Sequence, residues 1–344
     1  MDSKVGVVGA TGLVGGEMLR ILAERKFPVR EMRAFASEKS VGKPVTFDGA
    51  EVLCQELSEG ALSGLDFVII DVDDPIAAEW APIAAAQGAK VIDNSAAFRM
   101  DENVPLVVAE VNPQDLNDLP IGIASCPNCT TMVLVTALAP LHHTFEIDRL
   151  VVSTYQSVSG AGQAGMMELD EQWLKNTDKL SEFRRAGAEP GGIGAGAVWS
   201  KPIAGNVIPM AGSLQEGGYT SEEWKLVHES RKILHEPTLR VSATCVRVPV
   251  FVGHSMTANV TFKQPINLRD ATKLLSRAPG VQLVDQGSGF PTPLDSAGVD
   301  PVLVGRVRED PSEPNTLSLW ITGDNLRKGA ALNAVQMAEI LLTR

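Results

Sequence analysis

One stretch decides how the chain begins to fold: residues 4–15, which read KVGVVGATGLVG. The run Lys4–Val8 is apolar and rich in β-branched residues, so it predicts a short strand, and the amphipathic segment that ends near Arg25 predicts a helix. Glycine recurs at every third position of the turn between them. Glycines let such a turn approach a pyrophosphate, whose charge then lies at the helix N-terminus. The stretch therefore predicts the first unit of a dinucleotide-binding fold, with a purely structural turn as the alternative.

Strands and helices continue to alternate after this unit. Short apolar runs at Met32–Ala36, Phe67–Ile70 and Lys90–Asp93 predict strands, and Ala77–Gln87 predicts a helix. Alternation of this kind is typical of a doubly wound α/β fold with a mostly parallel sheet.

Length and composition indicate a compact protein with two domains. The chain has 344 residues, of which 44% are hydrophobic and 21% are charged, and domains typically contain about 150 residues each. The formal net charge of −12 argues against nucleic acid and anionic membranes as partners. No apolar stretch reaches the ~20 residues needed to span a bilayer, and the N-terminus shows no export signal. We therefore expect a cytoplasmic protein.

A cysteine lies where a short apolar strand gives way to a helix that is predicted to begin near Thr130. Residues 125–131 read SCPNCTT. The free amides and the positive dipole end of a first helical turn stabilise a thiolate, which makes Cys129 a candidate nucleophile. The spacing of Cys126 and Cys129 also fits a thiol oxidoreductase or half of a zinc site. No second cysteine pair and no paired histidines complete such a site, so we expect no bound metal.

The segment SCPNCTT closely resembles the active-site segment of aspartate-β-semialdehyde dehydrogenases, in which the second cysteine is the nucleophile and matches Cys129. The resemblance covers nearly the whole chain, because it continues through Gly9–Gly15, Asn94–Arg99, Tyr155–Gly162, Arg247–His254 and Gly323–Gln336. It implies a Rossmann-type nucleotide-binding domain, an α+β catalytic domain with a mixed sheet, and a C-terminal helix that returns to the first domain.

The resemblance also divides the chain. Residues 1–129 and 323–344 are expected to form the NADP-binding domain, and residues 130–322 the catalytic and oligomerisation domain. The last helix is expected to end at Leu342, and the glycine-rich residues 189–218 predict a loop-like insertion. The other predicted elements are strands at Ile147–Tyr155, Val241–Val250, Ser255–Phe262, Val302–Arg308 and Thr316–Thr322 and helices at Thr130–His142, Met166–Asn176 and Ser221–Leu234. Of these strands, Val241–Val250 and Ser255–Phe262 are expected to be antiparallel.

Three residues are expected to carry the chemistry. By resemblance, Cys129 is the nucleophile, Gln156 orients the reacting group, and His254 exchanges a proton with the thiol. Histidine titrates near neutral pH, so it can take a proton and return it. Gln156 follows a predicted strand, where an amide can donate or accept a hydrogen bond.

Five further residues are expected to contact the substrate. The resemblance implies that Arg247 and Glu222 bind its amino-acid end, while Arg99 and Lys225 bind phosphate. The planar fork of an arginine such as Arg247 matches a carboxylate. Asn128, together with amides at the helix start, is placed to stabilise a tetrahedral oxyanion. Outside this context, Glu222 and Lys225 would be a local ion pair on one helical face.

The expected cofactor is NADP. An NAD-specific fold places a carboxylate at the end of the second strand, whereas this strand ends in Ala36-Ser37. Ser37, Lys39 and Ser40 could hold a 2′-phosphate, although Glu38 lies among them. The expected cofactor-binding residues are Gly9, Thr11, Gly12, Leu13, Val14, Gly15, Ser37, Lys39, Ser40, Ser159, Gly160 and Asn325.

Three carboxylates lie where their charge would disfavour an anionic cofactor. Asp71, Asp73 and Asp74 stand where the family usually has small residues close to the cofactor. They would repel a pyrophosphate unless they point away or bind a cation.

The resemblance implies a phosphorylating, NADP-dependent aspartate-semialdehyde dehydrogenase. The expected substrates are β-aspartyl phosphate, aspartate β-semialdehyde and inorganic phosphate, and the expected assembly is a homodimer or homotetramer. Two alternatives stay open: another acyl-phosphate reductase of the same architecture, and a catalytically silent NADP-binding protein.

Overall fold

The first part of the chain forms a seven-stranded sheet. A computed structural model describes residues 2–177, 196–284, 287 and 289–344. The strands are β1 (Ser3–Val8), β2 (Val29–Ala36), β3 (Pro44–Phe47), β4 (Ala50–Glu56), β5 (Phe67–Ile70), β6 (Lys90–Asp93) and β7 (Ile123–Ser125). Their order is β3-β4-β2-β1-β5-β6-β7, and neighbours are parallel except for β3 and β4.

Glycines shape the turn between β1 and the first helix. The helices of this part are α1 (Leu13–Glu24), α2 (Glu59–Leu62) and α3 (Asp74–Ala86). Gly9 has a φ of 88°, and a Cβ atom there would lie 2.0 Å from the carbonyl oxygen of Asp71. A Cβ on Gly15 would lie 2.1 Å from the carbonyl oxygen of Gly9. The turn is therefore held against the carboxyl ends of β1 and β5, where such sheets bind ligands.

A second, mixed sheet follows. Its strands are β8 (Ile147–Gln156), β9 (Arg240–Arg247), β10 (His254–Phe262), β11 (Val281–Leu283), β12 (Val302–Glu309) and β13 (Thr316–Gly323). The order is β11-β12-β13-β10-β8-β9. The two strands predicted near Val241–Val250 and Ser255–Phe262 do run in opposite directions, but β8 lies between them, parallel to β9 and antiparallel to β10.

Six further α-helices lie among the described residues. They are α4 (Cys129–Phe145), α5 (Gly162–Lys175), α6 (Ser221–Ile233), α7 (Leu268–Leu275), α8 (Pro293–Ser296) and α9 (Leu332–Leu342). The helix α4 is buried over most of its length and packs on β8, β10, β12 and β13. The C-terminal helix α9 packs on α1 and β6, which confirms its predicted return to the first part of the chain.

One hydrophobic core runs through both parts, since a single cluster includes Val5 of β1, Leu134 of α4, Val335 of α9 and Ile321 of β13. The predicted fold class, a nucleotide-binding α/β part joined to an α+β part with a mixed sheet, is confirmed. The exact boundaries at residues 129 and 323 stay a prediction.

Part of the predicted insertion lies outside the described residues. Residues 189–195 are that part, and the described residues 196–218 contain no α-helix or strand. Within the described ranges, no helix is long and apolar enough to cross a membrane.

Candidate active site

Three polar side chains meet at one edge of the second sheet. Gln156 ends β8, Arg247 ends the parallel strand β9 in register with it, and His254 begins the antiparallel strand β10. Gln156 and His254 are fully buried, and Arg247 is 7% exposed. A Cβ atom on Gly160 would lie 2.7 Å from Nη1 of Arg247 and 3.2 Å from Nε2 of His254. The arginine and the histidine therefore converge on the space in front of Gly160.

The candidate nucleophile is the first residue of α4. Asn128 precedes it as the N-cap, and its Oδ1 accepts hydrogen bonds from the amides of Thr130 and Thr131 over 2.9 and 3.5 Å. Nε2 of Gln156 donates to Oγ1 of Thr130 over 3.0 Å, which ties β8 to the first turn of α4. Cys129 thus lies at the N-terminus of a buried helix, beside the sheet edge that carries Gln156.

Burial sets the resting charge of this site. It raises the pKa of the Cys129 thiol to about 11, with Glu222 adding to the rise and Arg247 opposing it. It also lowers the pKa of His254 well below the ordinary value, an effect that the charge of Arg247 reinforces. The sequence indicated a thiolate favoured by the helix start, and burial acts in the opposite direction. At neutral pH the site therefore holds a neutral thiol and a neutral imidazole.

The predicted substrate residues on α6 lie next to the helix start. Oε1 of Glu222 accepts from Nδ2 of Asn128 over 2.7 Å, and Oε2 lies 3.4 Å from Nζ of Lys225. Burial acts to raise the pKa of Glu222, but Lys225 and Asn128 outweigh it and the pKa is lowered. Glu222 is therefore a buried, charged carboxylate.

Arg99 is held on three sides. Its Nε donates to the carbonyl oxygen of Cys126 over 2.9 Å, its Nη2 donates to that of Asn94 over 2.8 Å, and its Nη1 pairs with Glu229 over 3.1 Å. The other oxygen of Glu229 accepts from the amide of Asn128 over 2.7 Å. The sequence reasoning missed Glu229. Its position seven residues after Glu222, two turns along the same face of α6, is the signal that could have found it.

One cleft joins the glycine turn to the thiol. Its volume is about 570 Å³. Its lining includes Cys129 and nine other predicted site residues: Thr11, Gly12, Leu13, Val14, Arg99, Asn128, Ser159, Gly160 and Asn325. No side chain caps the first turn of α1, so backbone amides stay available for an anion at that end. Gly9 and Gly15 do not line the cleft, but they permit the close backbone contacts within the turn. The glycine turn of the nucleotide fold and Cys129 therefore line one cleft.

The predicted 2′-phosphate residues lie at the end of β2. Ser37 and Lys39 are exposed, and Ser40 is half-buried. They do not line the cleft that contains Cys129. Nζ of Lys43, which the sequence reasoning did not single out, donates to Oγ of Ser40 over 3.3 Å. Two lysines therefore flank this turn.

The three aspartates have separate positions. Oδ1 of Asp71 accepts from Nδ2 of Asn94 over 2.6 Å, and Asp71 also lines the cleft. Burial raises the pKa of Asp71, and the hydrogen bond from Asn94 opposes that rise. Oδ1 of Asp74 accepts from the amide of Ala96 over 2.7 Å, and Asp73 precedes α3 as its N-cap. Only Asp71 of the three faces the predicted cofactor space.

The second cysteine of the segment lies in the core. Cys126 is fully buried, its Sγ lies 3.5 Å from the sulfur of Met337, and burial raises the pKa of its thiol to about 12. Within the described ranges, no three His, Cys, Asp or Glu side chains are grouped as metal ligands.

Two family models match this chain. The model described as "Semialdehyde dehydrogenase, NAD binding domain" matches residues 4–119, and "Semialdehyde dehydrogenase, dimerisation domain" matches residues 138–328. The chain belongs to the semialdehyde dehydrogenase family. Cys129 lies between the two matched regions of this semialdehyde dehydrogenase, at the junction of its two sheets.

Individual relatives are similar over the full length. A Streptomyces akiyoshiensis protein named aspartate-semialdehyde dehydrogenase is 50% identical, and the match covers 98% of each chain. The crystal structure of aspartate semialdehyde dehydrogenase II from Vibrio cholerae is 42% identical, with a TM-score of 0.93 and coverage of 100% of this chain and 99% of that one. The same Vibrio cholerae enzyme complexed with ASA gives a TM-score of 0.92 at 41% identity, with the same coverage. The resemblance read from the sequence is confirmed.

Proposed function

We propose that this semialdehyde dehydrogenase catalyses the reversible, NADP-dependent conversion of β-aspartyl phosphate to aspartate β-semialdehyde and phosphate. The observation that supports this proposal most directly is that Cys129 and the glycine turn of the nucleotide fold line the same cleft. The full-length relatives that bear the name aspartate-semialdehyde dehydrogenase support the same substrate. The product would feed synthesis of lysine, diaminopimelate, threonine, methionine and isoleucine, in the cytoplasm.

Cys129 and Gln156 act at the reacting carbonyl. In the reductive direction, the sulfur of Cys129 bonds to the carbonyl carbon and the bond to phosphate breaks, which leaves a thioester. Gln156 is fixed by its bond to Thr130, and its buried Oε1 has no partner among the described residues. That oxygen is free to orient the bound group. NADPH, when bound, supplies the hydride that reduces the acyl carbon.

His254 and Arg247 face the bound substrate from the sheet edge. Nε2 of His254 and Nε of Arg247 are buried polar atoms without a partner in the described part of the chain. Buried polar atoms are normally satisfied, so such orphans indicate a ligand. Arg247 would hold the α-carboxylate, and Glu222 the α-amino group. His254 would contact the reacting group itself.

Arg99 and Lys225 are the proposed phosphate ligands. Arg99 uses three of its five N–H groups within the protein, which leaves two for a ligand. Oδ1 of Asn128 caps α4, and one N–H of its Nδ2 donates to Glu222. The second N–H of Nδ2 remains as a donor for an oxyanion. The amide of Cys129 is the other donor that this first turn offers.

The preference for NADP rests on the end of β2. No carboxylate stands at the position that binds the ribose 2′-hydroxyl in NAD-specific folds. Two hydroxyls and one cation are available there, from Ser37, Ser40 and Lys39. Lys43, whose Nζ contacts Ser40, is a second cation.

The assembly is proposed to be a homodimer or a homotetramer. The family model over residues 138–328 is described as a dimerisation domain. Light scattering with sedimentation equilibrium on the purified chain distinguishes the two states.

One assay tests the proposed activity. Purified protein with NADP and aspartate β-semialdehyde should form NADPH over many turnovers only when phosphate is present, because without phosphate the reaction stops at one equivalent of NADPH per active site. Preference for the one-carbon-longer glutamate semialdehyde would favour another acyl-phosphate reductase. NADP binding without turnover of either aldehyde would favour the silent protein.

A further inference from the structure

A π-helical turn, Arg327–Ala331, lies directly against the nucleophile. The amide of Gly329 donates to the carbonyl oxygen of Asp324 over 2.9 Å, a spacing of five residues. A Cβ atom on Gly329 would lie 3.0 Å from the Cβ of Cys129, so the turn meets the thiol residue with its backbone. Gly329 and Ala330 also line the cleft that contains Cys129. Turns of this type occur frequently at functional sites, and the contacts that hold this one in place therefore bear on the thiol.

Arg327 anchors this π-turn through its side chain. The residue is 7% exposed, and among the described residues three carboxylates surround it. Nε and Nη2 donate to Oδ1 of Asp300 over 2.9 and 2.6 Å, Nη1 donates to Glu17 over 2.9 Å, and Nη2 donates to Glu24 over 3.0 Å. Burial acts to lower the pKa of Arg327, but the hydrogen bonds to Asp300 and Glu24 outweigh it and the pKa is raised. The guanidinium is therefore charged.

These carboxylates come from two separate parts of the fold. Glu17 and Glu24 lie on α1, the helix that follows the glycine turn, whereas Asp300 lies in the segment before β12. Arg20 pairs with the same two glutamates. The fork of a guanidinium can hold several carboxylates at once, whereas an ammonium is a single point of charge. Arg327 thus joins α1 and the segment of Asp300 to the π-turn.

The start of the π-turn is tied to the same segment through the backbone. Oδ1 of Asp324 accepts from the amides of Leu326 and Arg327 over 2.8 and 2.9 Å, and Oδ2 accepts from the amide of Gly298 over 2.6 Å. Gly298 and Asp300 belong to one segment, so this segment holds the π-turn at two points.

Lys328 provides a second anchor, in another direction. It is fully buried, and its Nζ donates to Glu110 and to Oε1 of Gln336 over 3.0 Å. Gln336 lies on α9. Lys328 therefore ties the π-turn to the last helix, whereas the contacts of Arg327 reach α1 and the segment of Asp300.

We propose that Arg327 is a positioning residue, which holds the π-turn against Cys129 by joining it to α1 and to the segment of Asp300. Because α1 begins at the glycine turn, the same contacts fix how the cofactor-binding turn lies relative to the thiol. Arg327 does not line the cleft, so it acts through the backbone of Gly329 rather than by touching a ligand. The role rests on the proposed function only for the identity of the cofactor.

Alkylation of Cys129 by iodoacetamide tests the position of the π-turn without any substrate. Burial is the largest cause of the raised pKa of this thiol, and the backbone of Gly329 contributes to that burial. Arg327→Gln removes the charge and the fork, so the π-turn should move away from Cys129. The rate constant between pH 7 and pH 9 should then rise at least about threefold. Mass spectrometry of the peptide with Cys129 gives the rate, and an unchanged or lower rate in the folded variant would overturn the proposal.

Two partner variants keep the test decisive if Arg327→Gln does not fold. Asp300→Asn and Glu24→Gln each remove one carboxylate, and these side chains are 44% and 40% exposed, so both variants should fold. Each should raise the alkylation rate of Cys129, by less than Arg327→Gln does. Arg327→Lys keeps the charge without the fork and should give an intermediate rate. A rate equal to that of wild type in both partner variants would overturn the proposal.

Arg25→Gln is the matched control. Arg25 also joins the end of α1 to the C-terminal part of the chain, through hydrogen bonds of 2.8 and 2.7 Å to Glu339 of α9. Its side-chain hydrogen bonds within the described residues do not involve the π-turn, so the alkylation rate should equal that of wild type. A rise as large as that in Arg327→Gln would show that any loosening of α1 exposes the thiol, and would overturn the assignment to Arg327.

Steady-state kinetics then separate positioning from phosphate binding. The proposed phosphate ligands Arg99 and Lys225 lie on other elements, so Arg327→Gln should leave the KM for phosphate within about twofold of wild type. Misplacement of the thiol relative to the cofactor should lower kcat at least about tenfold, after correction for the folded fraction measured by circular dichroism. An unchanged kcat would contradict the role. Because alkylation needs neither substrate nor cofactor, a failure of the proposed reaction would leave the thiol result standing.

Discussion

Glu229 and Arg99 form a buried ion pair, with 3.1 Å between Oε1 and Nη1 and less than 10% exposure of either side chain. The second carboxylate oxygen of Glu229 accepts from the amide of Asn128, directly before the nucleophile. Burial acts to lower the pKa of Arg99, but Glu229 outweighs it and the pKa is raised. One carboxylate thus connects the proposed phosphate ligand to the start of α4.

Glu229→Gln should destabilise the protein and weaken phosphate binding. It removes the counter-charge of a buried guanidinium, a change that typically costs about 3–5 kcal/mol. Chemical denaturation measures the loss of stability, and the KM for phosphate measures the loss of binding. The matched control is Glu171→Gln, which breaks the exposed pair of Glu171 and Lys175 and should change neither quantity. Equal effects of the two changes would show that the buried pair has no special role.

Alkylation of Cys129 by iodoacetamide should be slow at neutral pH. Because the pKa of the free-enzyme thiol is raised to about 11, the thiolate fraction and the rate should rise about tenfold per pH unit between pH 7 and pH 10. The signal is corrected with Cys129→Ala. A rate that levels off below pH 8 would show that the thiol is already ionised at rest.

Lys39→Ala should raise the KM for NADP and leave the KM for NAD almost unchanged. Only the 2′-phosphate distinguishes the two cofactors, and an exposed lysine acts on it through charge. Raising the ionic strength should therefore reduce the difference between wild type and variant. Equal losses with both cofactors, or a wild-type preference for NAD, would remove the proposed 2′-phosphate site.

Arg247→Lys should lower kcat/KM for the semialdehyde by at least about tenfold, since a charge-assisted hydrogen bond contributes about 1.5–3 kcal/mol. Lysine keeps the charge but loses the planar fork, and the affinity for NADP should not change. A small aldehyde without a carboxylate serves as the control substrate. If the variant impairs that aldehyde as severely as the semialdehyde, Arg247 is not principally a carboxylate receptor.

The local sequence pattern was sufficient to predict the elements that are proposed to bind the cofactor and that carry the thiol. The periodicity of residues 4–15 predicted β1, its turn and α1, and the segment around Cys129 predicted the start of α4 to within one residue. Strand order was not accessible in this way, because the insertion of β8 between β9 and β10 depends on pairings between residues 91 to 115 positions apart.

The supporting contacts were missed for different reasons. Glu229 acts across the interface between two elements, so its partner Arg99 is not near it in sequence. The raised pKa of Cys129 was missed because a helix start indicates a thiolate only when the thiol is not desolvated.

Rapid-quench mass spectrometry tests the central claim, a thioester on Cys129, most directly. The enzyme is mixed with NADP and aspartate β-semialdehyde without phosphate, quenched and digested. The account predicts that the peptide with Cys129 gains the acyl group in an amount equal to the NADPH formed, and that added phosphate removes it. Cys129→Ala should show neither product, whereas Cys126→Ala should show both. Formation of NADPH without an acyl group on Cys129, or with one on Cys126, would contradict the account.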